Sequence, residues 1–392
     1  AVQGHEVSIF APSTAVQEEI QVRDADGVTR FLVPLPESRA SENPAAQFWH
    51  TFRDRNFERA FDRFLVQTAP EVVHFQHVQG VSVRLIEQAQ GMPRVATLHD
   101  YWYFCANSQL VRPDQSVCAG PSPGCRNCVD CATARADLGI LRTLRPFTAL
   151  PLAYRNRELA SAAEQLDRMI APSAFLREQY IGQGFPAEAI VVMENGLDAE
   201  RLRGAPAAHS RSPLIGRPVR FGFLGTLAWQ KGAHLLVDAF NTIAPDSATL
   251  NMYGSDSAFP DYAERVRRAN RNPSVTIHPP VAQDEVGAIL GTFDVLIVPS
   301  LWYENSPLVI QEAFAARVPV LASRIGALQQ KVTPGISGWH FSPGDGADLA
   351  RMVQEIAAQP EEIDILRATL PTPPTMEAQA QELVALYESL QR

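Results

Sequence analysis

Glu304 and Glu312 are the residues whose type and spacing first suggest chemistry. They lie eight positions apart, one before and one inside a predicted helix, in the segment Pro299–Phe314. That separation does not suit a pair in acid–base catalysis, and two separate contacts with hydroxyl groups of a ligand fit better. The alternative is that Glu304 is a surface loop acid and Glu312 a solvated helix position.

The start of this helix is suited to binding an anion. An apolar strand, Val295–Pro299, leads through a loop into the helix. Asn305 or Ser306 is expected at the N-cap, and Pro307 at the first helical position. Free backbone N–H groups there, aided by the helix dipole, can cradle a diphosphate. Such loops lie at the carboxyl ends of strands, where open α/β sheets bind ligands.

The cysteines form a second constellation. All five lie in one Gly- and Pro-rich stretch, spaced C-x12-C-x6-C-x2-C-x2-C. This spacing favours a tetrahedral thiolate site holding structural zinc, with an iron–sulfur cluster as the rival. Because the stretch has little apolar content, a metal would order it; unpaired or oxidised thiols are the alternative. The expected ligands are Cys105, Cys118, Cys128 and Cys131, with Cys125 as the spare.

Short apolar runs alternate with longer amphipathic stretches, the pattern of a parallel α/β fold. The near-continuous apolar strands predict sheets covered on both faces by helices. Helical patterns include Ala233–Ile243, Asp261–Ala269 and Leu308–Ala316. Strands are predicted at Val7–Phe10, Val72–Phe75, Val95–Leu98, Arg168–Ala171, Ile190–Val192, Val219–Leu224, Thr249–Tyr253, Ser274–His278, Val295–Pro299 and Val318–Ala322.

We expect two domains with a boundary at Glu194–Asp198. The first is 1–195 and contains the Cys-rich loop 105–131; the second is 196–370. Residues 371–392 end in a predicted helix that we expect to pack back on the N-terminal domain. The chain opens on what reads as the end of a helix, a turn glycine and a strand, so a first β-α unit is expected to be missing from the N-terminal domain.

Composition excludes several classes of protein. The 392-residue chain has 46% hydrophobic and 20% charged residues and a net charge of −9, which argues against a nucleic-acid partner. No apolar run approaches the roughly 20 residues of a membrane-spanning helix, and no signal peptide is recognisable. A cytoplasmic location is therefore expected, with a peripheral position at the inner membrane face as a further option.

The segment around Glu304 and Glu312 resembles the Glu-x7-Glu signature of the retaining family 4 glycosyltransferases. The resemblance implies the α/β GT-B fold, in which two Rossmann-like domains face each other across a donor cleft. Likeness covers nearly all of 160–350 and, more weakly, 1–100. The companion segments, in the family's order, are Glu194–Asp198, Phe221–Gly232, Val318–Ser323 and Gly338–Asp345.

The resemblance implies a retaining hexosyltransferase with a UDP- or GDP-type nucleotide-sugar donor and a glycan or lipid-linked acceptor, in cell-surface polysaccharide synthesis. Lys231 would neutralise the diphosphate, Glu304 would bind hydroxyls of the transferred sugar, and Glu312 would hold the ribose. His99 falls where family members carry an active-site histidine, although a structural role is the alternative. Further donor contacts are expected from Gly225, Thr226, Tyr253, Gly254, Val281, Asn305, Ser306, Pro307 and Leu308.

The chain departs from the family pattern at three places. Thr226 stands where many relatives have an arginine, so a second cation for the diphosphate is missing there. Arg317 stands where a glycine is usual. Ile325–Gln329 replaces the usual Gly-Gly-x-x-Glu. These changes bear on donor identity more than on reaction type.

Two further hypotheses concern the partners. The stretch Leu138–Arg157 carries arginines among leucines, Phe147 and Tyr154, and could rest on an anionic membrane that holds a lipid-linked acceptor; an amphipathic core helix explains the pattern equally well. The alternatives to a transferase are a GT-B sugar-nucleotide epimerase and a non-catalytic, metal-stapled binding subunit with a vestigial donor site.

Overall fold

The computed structural model of the protein describes residues 4–36, 44–135, 139–198, 202, 214 and 216–391. The N-terminal half contains a three-stranded sheet in the order β1-β3-β2 and a four-stranded parallel sheet in the order β4-β5-β6-β7. The strands are β1 Ser8–Ser13, β2 Ile20–Arg23, β3 Thr29–Pro34, β4 Val73–Phe75, β5 Arg94–Thr97, β6 Arg168–Ala171 and β7 Ile190–Val192.

Six helices accompany these strands in the described part of the N-terminal half. They are α1 Pro44–His50, α2 Arg55–Thr68, α3 Arg84–Gln88, α4 Val129–Arg135, α5 Arg145–Ala163 and α6 Ala174–Gly182. The amino end of α2 shows how local sequence sets these bounds, since the Asp54 side chain accepts hydrogen bonds from the N–H groups of Asn56 and Phe57 and so caps the helix.

The C-terminal half is built on one six-stranded sheet in the order β10-β9-β8-β11-β12-β13, with every pair parallel. Its strands are β8 Val219–Leu224, β9 Ala248–Tyr253, β10 Val275–His278, β11 Val295–Val298, β12 Val320–Ser323 and β13 Gly338–Phe341. The helices are α7 Ala233–Phe240, α8 Pro260–Ala269, α9 Val286–Gly291, α10 Leu308–Ala315, α11 Gly326–Lys331, α12 Gly346–Ala358, α13 Glu361–Thr369 and α14 Met376–Leu390.

The order of the strands indicates where a ligand crevice lies. Numbered within their own sheet, the strands run third, second, first, fourth, fifth, sixth, so the winding reverses between β8 and β11. In doubly wound sheets, ligands bind outside the carboxyl ends of the strands at that reversal. The loops that follow β8 and β11 therefore face the same crevice. β11 is buried at every residue, as a central parallel strand should be.

The sequence prediction misses three strands and misplaces the start of a fourth. β2 and β3 pair antiparallel and are half-exposed. β2 has no apolar run, and the run in β3 is only residues 31–33. β13 lies in the segment Gly338–Asp345, which resembles a family motif but is not predicted as a strand. β12 begins at Val320 instead of Val318, because Val320 is where its pairing with Gly338 of β13 begins.

The carboxyl end of the chain returns to the N-terminal half. Leu383, Leu386 and Tyr387 of α14 pack against a buried cluster that includes Val95 and Ile170 of the four-stranded sheet. The crossing lies beside the interdomain segment, where Leu197 pairs with Thr375. A Cβ on Gly196 would come within 2.6 Å of the Met376 Cα, so glycine permits this close approach.

In the described residues, no helix is both long and apolar enough to cross a bilayer.

Asp294 holds the amino ends of β8 and β11 together. Its carboxylate is fully buried and accepts hydrogen bonds from the guanidinium groups of Arg217, Arg220 and Arg367. Burial alone would raise the pKa of Asp294, but the hydrogen bonds from Arg217 and Arg220 outweigh it and hold the pKa well below its usual range.

Replacing Asp294 by alanine is expected to lower the free energy of unfolding by about 2–3 kcal/mol, because three guanidinium groups lose their shared counter-charge; partial exposure of Arg217 and Arg220 sets the value below that of a fully buried pair. A group with a lowered folded pKa adds stability above its unfolded pKa, near pH 4, and that contribution is lost as pH falls towards the folded pKa.

Urea denaturation at several pH values measures both effects. The difference in the free energy of unfolding between the wild type and Asp294→Ala should be largest near neutral pH and should decrease below about pH 4. The exposed Asp246→Ala, between α7 and β9, is the matched control and should change little. A difference that stays constant through the acid range would contradict this account of Asp294.

Candidate active site

The loop that follows β8 carries Lys231 to the crevice. It ends in a short 3-10 turn, Trp229–Lys231, and the next residue, Gly232, has a φ of 73°. A Cβ on Gly232 would lie 2.1 Å from the Pro299 carbonyl oxygen. The N–H of Leu301 also donates to the Gln230 carbonyl at 2.8 Å. The loops after β8 and β11 are therefore in backbone contact.

An ion pair between Lys231 and Glu304 lies where these loops meet. Lys231 Nζ is 2.7 Å from Glu304 Oε1, and the same oxygen accepts from Ser300 Oγ at 2.8 Å and from Trp302 Nε1 at 2.9 Å. The ammonium also lies 5.7 Å from the centre of the Trp302 ring. Glu304 is buried, so it is not the surface acid of the alternative interpretation.

The start of α10 differs from the sequence prediction in its cap. The helix begins at Leu308 with Pro307 in the N-cap position and no side-chain capping bond. Asn305 does not cap because its Nδ2 donates to the His99 carbonyl in the other domain, at 2.6 Å. Asn305 Oδ1 and Ser306 Oγ are buried without a hydrogen-bond partner in the described structure.

The first turn of α10 can bind an anion through its backbone. The first N–H groups of a helix have no partner within it, and no bond from the N–H of Ser306, Leu308 or Val309 to protein is described. Pro307 has no N–H to offer, so it can contribute shape but not a donor. These N–H groups and the Lys231 ammonium belong to the same pair of loops, which suits a diphosphate.

The predicted nucleotide-side residues lie around the neighbouring loop after β9. Tyr253 stacks on His278 with ring centres 4.3 Å apart, and its carbonyl accepts from the N–H of Gly225 at 3.1 Å. A Cβ on Gly254 would lie 2.1 Å from the Gly225 carbonyl oxygen. Glu312 is buried on α10, not solvated. Thr226 and Val281 lie in the loops after β8 and β10.

His99 faces the C-terminal half from the end of β5. Its Nε2 lies 2.9 Å from Gln76 Oε1. Desolvation by the surrounding protein, together with the positive charge that His77 can carry, holds the pKa of His99 below its ordinary value, so the imidazole is neutral at physiological pH. Asp100 also lines the cleft; its carboxylate accepts from Trp102 N at 2.7 Å and lies 3.2 Å from His77 Nε2.

A cleft of about 660 Å³ extends from His99 between the two halves. Backbone strain shapes one wall, since Ser108 and Leu110 have φ values of 63° and 52° and hold the exposed Gln109 between them. The residues that line the cleft include His99, Asn107, Gln109, Arg112, Trp229, Trp302 and Asn305. Amides, an arginine and two indole rings suit a hydroxyl-rich ligand.

Sequence reasoning did not identify several of these residues. Ser300 and Trp302 hold Glu304, and Gln76 holds His99, but none was singled out. Trp302 could have been identified from the sequence, because it lies two positions before Glu304 in the segment Pro299–Phe314. Gln76 lies 23 positions from His99 and follows a different strand, β4, so no local pattern connects the two.

The cysteines do not form the predicted metal site. Among the residues that the structure describes, no group of three or more His, Cys, Asp or Glu side chains could hold a metal ion, and all five cysteines are free thiols. The prediction of zinc, or of an iron–sulfur cluster, is therefore not supported. The residues predicted to be metal ligands were Cys105, Cys118, Cys128 and Cys131, with Cys125 as the spare.

Protein contacts order the Cys-rich loop instead. Cys105 Sγ donates to Asn107 Oδ1 at 2.8 Å, and Cys118 Sγ donates to the Gly120 carbonyl at 3.6 Å. The side chains of Cys125 and Cys128 form a hydrogen bond with each other. Cys125 is buried in a small apolar cluster with Val129 and Leu152. The stretch has little apolar content of its own, and α5 supplies the rest of the core that packs against it.

Comparison with known proteins identifies two matching families of one enzyme class. Residues 1–201 match the family model described as Glycosyltransferase Family 4, and residues 218–359 match the model described as Glycosyl transferases group 1. The chain is 32% identical over 202 residues to a glycogen synthase of Mycobacterium tuberculosis, covering 50% of this chain and 46% of that protein.

Other relatives agree in class. The chain is 28% identical over 246 residues to the alpha-maltose-1-phosphate synthase of Mycolicibacterium smegmatis, covering 56% of this chain and 62% of that protein. It therefore spans about half the length of the curated relatives that it matches.

Solved structures show the fold. Sucrose-phosphate synthase from Thermosynechococcus elongatus superposes with a TM-score of 0.69 at 20% identity, covering 99% of this chain and 90% of that one. Anabaena HepE in complex with UDP and glucose gives 0.60 at 17% identity, covering 84% and 81%. The predicted GT-B fold is thereby confirmed.

Gly232→Ala is expected to weaken binding of a nucleoside diphosphate by about tenfold or more. The added Cβ meets a backbone oxygen and the left-handed φ is strained, so the turn that carries Lys231 must shift. Calorimetric titration with UDP measures the effect. Gly346→Ala is the matched control, because a Cβ there meets nothing within 4 Å. Equal affinities in both variants would contradict the role given to this turn.

Proposed function

The chain belongs to glycosyltransferase family 4, and we propose that it moves a sugar from a nucleoside-diphosphate donor to a glycan or lipid-linked acceptor with retention at the anomeric carbon. One observation carries the proposal: Lys231, Glu304 and the amino end of α10 converge at the strand-order reversal. A cation, a carboxylate and free N–H groups in one crevice suit a sugar joined to a diphosphate.

The reaction requires stabilisation of a departing diphosphate. The bond between the anomeric carbon and the diphosphate oxygen breaks through an oxocarbenium-like state. A new bond to the acceptor oxygen forms on the same face, and the acceptor's hydroxyl proton passes to the departing diphosphate. Lys231 and the N–H groups of Ser306 and Leu308 are preorganised to meet the negative charge that grows there.

Glu304 is suited to holding the transferred sugar. Its three described hydrogen bonds all reach Oε1, which fixes the carboxylate and leaves Oε2 for hydroxyl groups of the sugar. Glu312 would hold the ribose, and the turns at Tyr253–Ser255 and His278–Val281 would border the base. The UDP in the related HepE structure makes a uridine donor the first to test, ahead of a GDP sugar.

The acceptor would enter through the cleft beside His99. The neutral imidazole can bond a sugar hydroxyl, and Gln109 and Arg112 face the same space. A cleft of this size favours transfer over epimerisation, since an epimerase needs no room for an acceptor. It also favours a working site over a vestigial one. We place the reaction in cell-surface polysaccharide synthesis at the cytoplasmic face of the membrane.

Incubation of the full chain with UDP-glucose tests the reaction class. A transferase releases UDP, slowly with water and faster with a saccharide acceptor, whereas an epimerase returns an epimeric UDP-sugar without net release of UDP. A GDP-sugar arm runs in parallel. Release of neither nucleotide in any arm would contradict the proposal.

Two variants should separate binding from turnover. Lys231→Ala is expected to weaken UDP binding by about tenfold or more, because a charge-assisted contact to the diphosphate is lost. Glu304→Ala is expected to lower turnover by about 100-fold or more, while UDP binds at least as tightly because the Lys231 ammonium no longer pairs with a carboxylate.

Calorimetry with UDP and a UDP-release assay measure the two quantities. Glu355→Ala, an exposed position on α12, is the control and should behave as the wild type. Loss of UDP binding in Glu304→Ala would overturn the assignment of Glu304 to the sugar.

A further inference from the structure

Five large apolar side chains are exposed on one surface of the N-terminal half. We call this set the apolar patch: Trp49, Leu144, Phe147, Leu150 and Tyr154, with exposed fractions of 62%, 50%, 71%, 64% and 49%. Soluble proteins seldom expose such large side chains side by side without a partner.

Two elements form the patch. Phe147, Leu150 and Tyr154 recur at helical spacing, so they lie along one face of α5. Tyr154 then continues the surface to α1, because its ring centre lies 5.4 Å from that of Phe52, which lies 5.9 Å from that of Trp49. The patch is therefore continuous from α1 to α5.

The core does not explain these residues. The opposite face of α5 is already buried through Ala149, Leu152 and Leu159, and Leu152 packs on Cys125 and Val129. The helix is thus apolar on both sides, one facing protein and one facing solvent. The interpretation of this stretch as an ordinary amphipathic core helix leaves the exposed side unexplained.

The charge around the patch is opposite to that of the whole chain. Segments 44–59 and 139–158 hold seven arginines against three acidic residues, a local net charge of +4, whereas the chain carries −9. Asp54 and Arg155 are buried, so neither contributes to the charge of the surface and the excess of arginines remains. Arg53, Arg55, Arg59, Arg145 and Arg157 are exposed. Exposed apolar side chains interspersed with arginines along segments 44–59 and 139–158, on an acidic protein, suit a partner with an anionic, apolar surface.

A lipid bilayer with anionic headgroups has both properties. Tryptophan, tyrosine and phenylalanine insert at the boundary between headgroups and acyl chains, and the arginines meet the phosphates. A second copy of the chain fits less well, because a symmetric contact would place the same arginines against one another.

The patch also lies next to the cleft. Arg145 pairs with Asp130 of α4 at 2.8 Å, and the neighbouring Cys131 and Ala134 of the same helix line the cleft. One helix therefore separates the patch from the cleft. We infer that α1 and the amino half of α5 dock the protein on an anionic membrane, with the mouth of the cleft close to the headgroups.

Co-sedimentation of the full chain with vesicles tests this inference. Vesicles of phosphatidylethanolamine and phosphatidylglycerol should bind the protein, and vesicles of phosphatidylcholine should bind it weakly. Rising salt should weaken the binding. The measurement needs neither donor nor acceptor, so its result is independent of the proposed transfer reaction.

Phe147→Ser combined with Leu150→Ser should lower partitioning into the anionic vesicles by about tenfold or more, because two inserted side chains are lost. Arg157→Ala should lower it by about fivefold. Val66→Ser is the matched control, since Val66 is 85% exposed on α2 outside the patch, and it should bind as the wild type. Unchanged UDP affinity verifies that each variant is folded.

Two outcomes would overturn the inference. One is a vesicle experiment in which the wild-type protein does not bind anionic vesicles, or in which the double variant binds them as well as the wild type does. The other is a dimer that forms in solution without vesicles and dissociates in the double variant, because a second copy would then occupy the patch. Sedimentation velocity of both proteins distinguishes that case.

Discussion

The ion pair between Lys231 and Glu304 is the contact on which the candidate site depends. It joins the two loops that follow the carboxyl ends of β8 and β11. Asp294, with Arg217 and Arg220, joins the same two strands at their amino ends. Two adjacent strands fixed at both ends cannot shift in register. These contacts hold the walls of the crevice in position, and such preorganisation is what electrostatic stabilisation of a leaving group would need.

Asn305 extends this fixed geometry to the other half of the protein. Its side chain donates to the His99 carbonyl, and its own carbonyl accepts from Ser173 Oγ. One loop residue thus contacts both the strand end that carries His99 and the helix start of α6. The same contacts explain why the amino end of α10 has no side-chain cap, since the Asn305 amide is committed across the cleft.

The fold, and the proximity of Lys231 to Glu304 and the start of α10, were largely predictable, because each of these elements is continuous in sequence. Glu304, the start of α10 and the buried strand before it form one continuous segment, and Lys231 follows another such strand. What the sequence could not reveal depends on distant partners. Asn305 meets a residue 206 positions away, and α5 completes the core under the cysteines. Arg317, which stands where a glycine is usual, adopts a φ of 57°. Its backbone therefore keeps the left-handed conformation that glycine favours, which the change of residue type did not indicate.

The chain crosses between its halves at two points that lie side by side, at Leu197 and at Thr375. Two domains connected at adjacent points are arranged for a hinge rotation about that connection. Any opening of the space between His99 and Trp229 is then a rotation about an axis through this connection. Small angular changes at residues 196 and 375 become large displacements at the far rim. A cavity of about 350 Å³ lined by Glu194, Lys331 and Pro371 lies beside that axis.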